Sequence, residues 1–148
     1  MRFVRWILGL IAAAITTYIV GTALNSQFVI AMHDISVSIG DRFNMTMFDI
    51  SNMVPYLVII AVALLLGFVI ATILKRFLPN LARVAYPIAG AAAIAVTLGA
   101  MYIVFQTVPI SGARSTMGFL SQVFAGAIGG WVFAKVAVER VTPARTGA

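Results

Sequence analysis

Four long apolar runs, at about 3–24, 53–74, 84–108 and 115–138, are separated by short polar connections. Each reaches the roughly 20 apolar residues that a helix needs to cross the hydrocarbon core of a bilayer. In lipid the backbone has no water to bond to, so a spanning segment must satisfy its own polar groups as a helix or join a closed barrel. A barrel requires alternating segments of about 10 residues, and the runs do not alternate in that way. The pattern therefore predicts an all-α, polytopic integral membrane protein. Its single domain, residues 1–148, is expected to be a bundle of four transmembrane helices.

The one long polar interruption, 25–52, contains the sole histidine, His33, and all three aspartates, Asp34, Asp41 and Asp49. Two patterns compete within it. Ile39, Phe43, Met47, Ile50 and Val54 recur every three or four residues, which places them on one helical face. Ser38 stands just before them, and Asp41 takes the place of the glutamate in a capping box. On this reading the segment forms two short amphipathic helices. The first, Asn25–Ile35, continues or follows the first spanning helix, and the second lies apolar face down on the bilayer surface. The alternation of Ile35, Val37 and Ile39 with serines, and of Phe43, Met45 and Met47 with Asn44 and Thr46, instead suggests a hairpin turning at Gly40-Asp41. The helices are favoured, because an isolated two-stranded hairpin is only marginally stable.

Composition explains why lipid must be the solvent. The chain is 62% hydrophobic and 9% charged, whereas soluble domains carry about 25% charged residues. The net charge of +6 does not form the basic face that nucleic acid requires, so nucleic acid is not expected as a partner. Arg2 and Arg5 instead precede the first run. Lys75, Arg76 and Arg83 lie between the second and third, and Lys135, Arg140 and Arg145 close the fourth. Arg42 and Arg114 fall on the other side. The positive-inside rule then expects both termini in the cytoplasm, with 25–52 and the Pro109–Arg114 loop outside, in a bacterial inner membrane. The run from Trp6 to Leu24 exceeds the roughly 7–15 residues of a cleaved signal core, so a retained anchor is expected.

Small residues recur at helical spacing. Gly9, Ala13, Thr17 and Gly21 follow a four-residue rule in the first run, Gly67 lies between Ala63 and Ala71 in the second, and Gly126 and Gly130, with Gly129 beside them, mark the fourth. Such rows let helix backbones approach where lipid removes the hydrophobic drive. They fit packing within one bundle and equally an oligomer face.

Candidate chemistry is sparse. Without cysteine there are no disulfides, thiolate metal sites or thiol redox steps. No ionisable residue lies near the centre of any run, which argues against proton-coupled transport and ion pumping. Thr22, Gln106 and Gln122 fall in the outer half, where they either bond between helices or line a polar path. His33 and the aspartates fit no ligand spacing. With Arg42 and Arg114, the set His33, Asp34, Asp41 and Asp49 makes a candidate outward interaction surface. Met45 and Met47 suit Cu(I) only if a hairpin puts them on one face. No metal, cofactor or catalytic motif is expected. The expected protein is a non-catalytic accessory or scaffold subunit that packs with itself, as a homo-oligomer, or with a larger membrane complex. The alternative is an oligomeric small-solute channel or transporter.

Overall fold

A computed structural model describes residues 2–33, 36–77 and 84–138. Among the described residues it is all-helical, with no strand. Helix α1 is Arg2–Met32, α2 Ile39–Asn52, α3 Val54–Leu74, α4 Ala85–Phe105 and α5 Thr116–Phe133. A 3-10 turn, Ser111–Arg114, precedes α5, and a π turn, Ala134–Val138, extends it. Four of these helices are long and apolar enough to cross a membrane: α1, α3, α4, and α5 with its π turn.

The second half of the polar interruption is helical, so the hairpin is not formed. Ser38 begins α2 as its N-cap: its hydroxyl accepts the backbone N–H of Asp41 at 3.1 Å and donates to the Asp41 carboxylate at 2.6 Å. Loss of such a cap costs about 1 kcal/mol. Ser38→Ala is therefore expected to speed amide exchange through the first turns of α2 about fivefold. Unchanged exchange there would show that α2 is held by its docking alone.

Of the two expectations for the stretch after Leu24, the structure takes the first: α1 continues through the polar residues to Met32. The reason is that Asn25, Ser26 and Gln27 all find partners on other elements while remaining helical. Polarity there is buried, not a sign of chain exit. The third span ends earlier than expected, at Phe105, because Gln106 adopts a left-handed conformation (φ 56°) that ends the helix. Ser115 caps α5, its hydroxyl accepting the N–H of Gly118 at 3.0 Å.

The four long helices form a ring in the order α1, α5, α4, α3, with antiparallel neighbours. Helices α3 and α5 are diagonal and parallel, touching through Tyr56 and Gln122 at one end and Phe68 and Phe133 at the other. Arg5, Lys75, Arg76 and Lys135 share the end where α1 begins and α5 finishes, marked by the Trp6–Phe133 edge contact and by Lys75 on Tyr86. Arg42 and Arg114 lie at the opposite end, with α2.

Close approach of backbones holds the ring together. Gly90 of α4 and Gly126 of α5 face each other so closely that a Cβ on either would collide with the other's carbonyl oxygen. A Cβ on Gly130 would likewise strike the carbonyl of Tyr86. In each case a Cα hydrogen points at a carbonyl, a weak but recurrent helix–helix bond. Below this contact lies an aromatic group. Phe133 stacks on Phe68 (centroids 4.2 Å) and Tyr86 (4.7 Å), and Trp6 meets it edge-on at 5.4 Å.

Candidate functional site

Most side-chain hydrogen bonds between elements lie toward the α2 end of the bundle. Gln122 is buried on α5 and bonds to two other helices. Its Oε1 accepts from the Tyr56 hydroxyl of α3 at 3.2 Å, and its Nε2 donates to the Gly21 carbonyl of α1 at 2.8 Å. Gly21 is small for this reason: a Cβ there would lie 2.7 Å from Gln122 Oε1. One amide thus joins three of the four long helices.

One turn further along α1, Asn25 Oδ1 accepts the backbone N–H of Gly112 at 2.7 Å. That bond fastens the α4–α5 connection to α1. Gly112 has no room for a side chain there, since a Cβ would lie 2.6 Å from Asn25 Oδ1. Ser26, also buried, donates to Asp49 Oδ2 on α2 at 2.6 Å. Gln27 accepts from Arg42 Nη1 at 3.0 Å and donates to the Thr46 hydroxyl at 3.2 Å. Finally, the Tyr18 hydroxyl donates to the Ile50 carbonyl. Arg42, Thr46 and Asp49, at spacings of four and three, form one face of α2, and that face meets α1.

The orientation of α2 therefore differs from that of a helix with its charges toward water. Its polar stripe packs on α1, while Ile39 (87% exposed), Phe43 (64%) and Met47 (41%) form an apolar ridge with no protein cover. Ile50, in the same row, is partly buried against the bundle. Phe48 is 66% exposed on the far side of α2.

The residues expected to make one outward surface do not act together. Arg42 and Asp49 are used in docking α2, and Asp41 in capping it. His33 is exposed and uses Nδ1–H to bond its own helix at the Val29 carbonyl, 2.8 Å away. Arg114 reaches back to the Val108 carbonyl at 3.0 Å. Asp34 lies outside the described residues. Among the described residues no three histidines or carboxylates come together. Met45 and Met47 are separated by about 200° around α2, which removes the shared face that a thioether pair requires.

The polar-path residues also separate. Thr22 and Gln122 are enclosed at the α1–α5 contact, whereas Gln106 is exposed at the end of α4 and bonds only the Ile103 carbonyl. The small-residue rows lie inside the ring. Gly9 rests on Ala137, and Ala13 and Thr17 face Gly129. Gly67 meets Ala93, and Gly126 and Gly130 meet α4. Thr17 Oγ1 has no conventional hydrogen-bond partner, but the Cα of Gly129 is pressed against it, leaving a C–H as its neighbour. Sequence reasoning missed Ser26, Gln27 and Tyr56 as members of the network. The available signal was a polar residue at each turn of α1 continuing past the apolar run.

Comparison of the chain with protein-family models, with curated proteins and with solved structures gives no match.

Proposed function

We propose that this chain is a non-catalytic accessory or scaffold subunit of a bacterial inner membrane. Both termini are cytoplasmic, and the chain packs with itself or with a larger membrane complex through α2. The observation that carries this reading is the way α2 is held. Four side chains of α1, Tyr18, Asn25, Ser26 and Gln27, bond α2 or its junction with α3, yet its Ile39–Phe43–Met47 ridge remains uncovered. A helix fixed by its polar side and bare on its apolar side fits a partner groove that takes residues at i, i+4 and i+8. The asymmetric placement of lysine and arginine supports the orientation.

The packing glycines are used within the chain, which directs attention to α2 as the surface left for a partner. An oligomeric channel has less support, because Thr22 and Gln122 are enclosed and Gln106 stands apart from them. The test is site-specific photo-cross-linking in native membranes, with the photoreactive residue placed at Phe43 or, as a control, at Val69 on α3. The expected result is a discrete protein adduct from Phe43 that Val69 does not give. Lipid adducts alone from both positions, with a monomer in mild detergent, would remove the scaffold reading.

A further inference from the structure

A second uncovered feature lies on the opposite half of the molecule. Helices α3 and α4 enclose an apolar groove of about 450 Å³ on the outside of the ring. Its floor is the point where Gly67 lets α3 approach Ala89 and Ala93 of α4; a Cβ at Gly67 would lie 3.0 Å from Ala93 Cβ. Its rims are Leu66 and Ile70 on one side and Ala92 and Val96 on the other. The alanines of α4 are too small to fill the angle between the two helices, so the space stays open.

The groove has a definite length and a definite end. Along α3 its lining runs from Ala63 to Lys75, about 18 Å at 1.5 Å per residue. One leaflet contributes about 15 Å to the hydrocarbon core. The groove therefore matches one leaflet and stops near the middle of the bundle. A second copy's spanning helix would call for a seam running the full depth, and the groove does not provide one.

At the end of the groove away from α2 stands a cation. Lys75 Nζ donates to the Tyr86 hydroxyl at 2.8 Å and lies 4.9 Å above the Tyr86 ring centroid. Thr72 Oγ1 braces that hydroxyl at 3.1 Å. The aromatic contact fixes the ammonium in place, and among the described residues no carboxylate pairs with it. Arg76 is exposed on the next residue. An apolar trough one leaflet deep, ending at a fixed ammonium, is complementary to a lipid with a negative headgroup.

We propose that the α3–α4 groove is a binding site for one anionic glycerophospholipid, with an acyl chain between Leu66, Ile70, Ala92 and Val96 and the phosphate at Lys75 and Arg76. Native mass spectrometry of the intact chain tests this, after equilibration in detergent with phosphatidylglycerol or phosphatidylcholine. The wild type is expected to retain one phosphatidylglycerol with about fivefold preference, the contribution of one lysine beside an anionic headgroup. Lys75→Gln is expected to lower the preference clearly, with Arg76 still present, while leaving phosphatidylcholine retention as it was. Ala92→Phe and Val96→Phe, which fill the trough from its exposed rim, are expected to lower retention of both lipids. Using two groove-filling variants, each checked for helical content, separates a blocked groove from a failed fold. Equal retention of the two lipids by the wild type would overturn the proposal. So would an undiminished preference in Lys75→Gln, or unaltered retention in both groove-filling variants. Conversion of a dimer to a monomer by Ala92→Phe would also overturn it, by assigning the groove to a second copy.

Discussion

Gly126→Val is expected to be the most damaging single substitution in the described bundle. Its Cβ would press on the Gly90 carbonyl and sit 2.6 Å from Ile94 Cγ1, and neither neighbour can move cheaply. Gly90 O belongs to a helix backbone, and Ile94 is itself buried. Overpacking of a fitted core costs about 1–3 kcal/mol, and a clash with backbone belongs at the upper end. Separation of α4 from α5 would also undo the Gly130–Tyr86 contact one turn away and loosen the stacking of Tyr86 on Phe133. Thermal unfolding in detergent, followed by helical circular dichroism, should show a loss of about 3 kcal/mol. Gly99 supplies the control: a Cβ there meets nothing within 4 Å. Gly99→Ala should be neutral or stabilising by up to about 1 kcal/mol, because alanine loses less backbone freedom in a helix. Equal behaviour of the two variants would contradict the close-packed α4–α5 contact.

Gln122→Leu is expected to have the second largest effect, by a different route. The side chain changes little in volume, so the loss is electrostatic. The Tyr56 hydroxyl would be left buried without an acceptor, a cost of about 1–3 kcal/mol. Gly21 O loses only its second donor, since it also lies within the α1 ladder. Interhelical side-chain bonds within membranes have measured values nearer 0.6–2 kcal/mol, so a destabilisation of about 2 kcal/mol is expected. A double-mutant cycle makes the test specific. Tyr56→Phe should destabilise the wild type, but in the Gln122→Leu background it should be neutral or favourable, because the orphaned hydroxyl is gone. Additive losses would mean that the two residues do not act on each other.

The spans were legible because they depend on a property local to each segment, the length of its apolar run. The start of α2 was legible for the same reason: Ser38 and Asp41 lie within one turn of each other and make their bond there. That α1 runs on past Leu24 was one of two readings, and what decides between them was not legible. Asn25 is satisfied by Gly112, 87 residues away in sequence, and Ser26 by Asp49, 23 residues away. A polar residue reads as chain exit until its distant partner is known. The glycine rows pointed correctly to close packing, but spacing along one helix carries no information about the opposing one. That Gly126 meets Gly90 and Gly129 meets Thr17 follows only from the ring order α1, α5, α4, α3. Two residues of the candidate outward surface have a second use that spacing could not show. Charge near the end of a bundle suggests solvent, yet Arg42 and Asp49 are spent on fixing α2 to α1.

These placements assign separate roles to polarity and hydrophobicity at the α2 end. The polar atoms fasten elements to each other, and the apolar ridge of α2 is left without protein cover. The arrangement reverses the usual surface helix, whose polar face is solvated and whose apolar face is buried in its own fold. The reversal is the physical basis for reading the chain as a scaffold.

Thiol labelling of Phe43→Cys tests that reading most directly, because the native sequence contains no cysteine to interfere. Reactivity toward a water-soluble maleimide is compared between purified protein in lipid-only vesicles and the same variant in native membranes. The account predicts much weaker labelling in native membranes than in the vesicles, because a partner there covers the ridge beyond any shielding by lipid. Equal labelling in the two settings would contradict it.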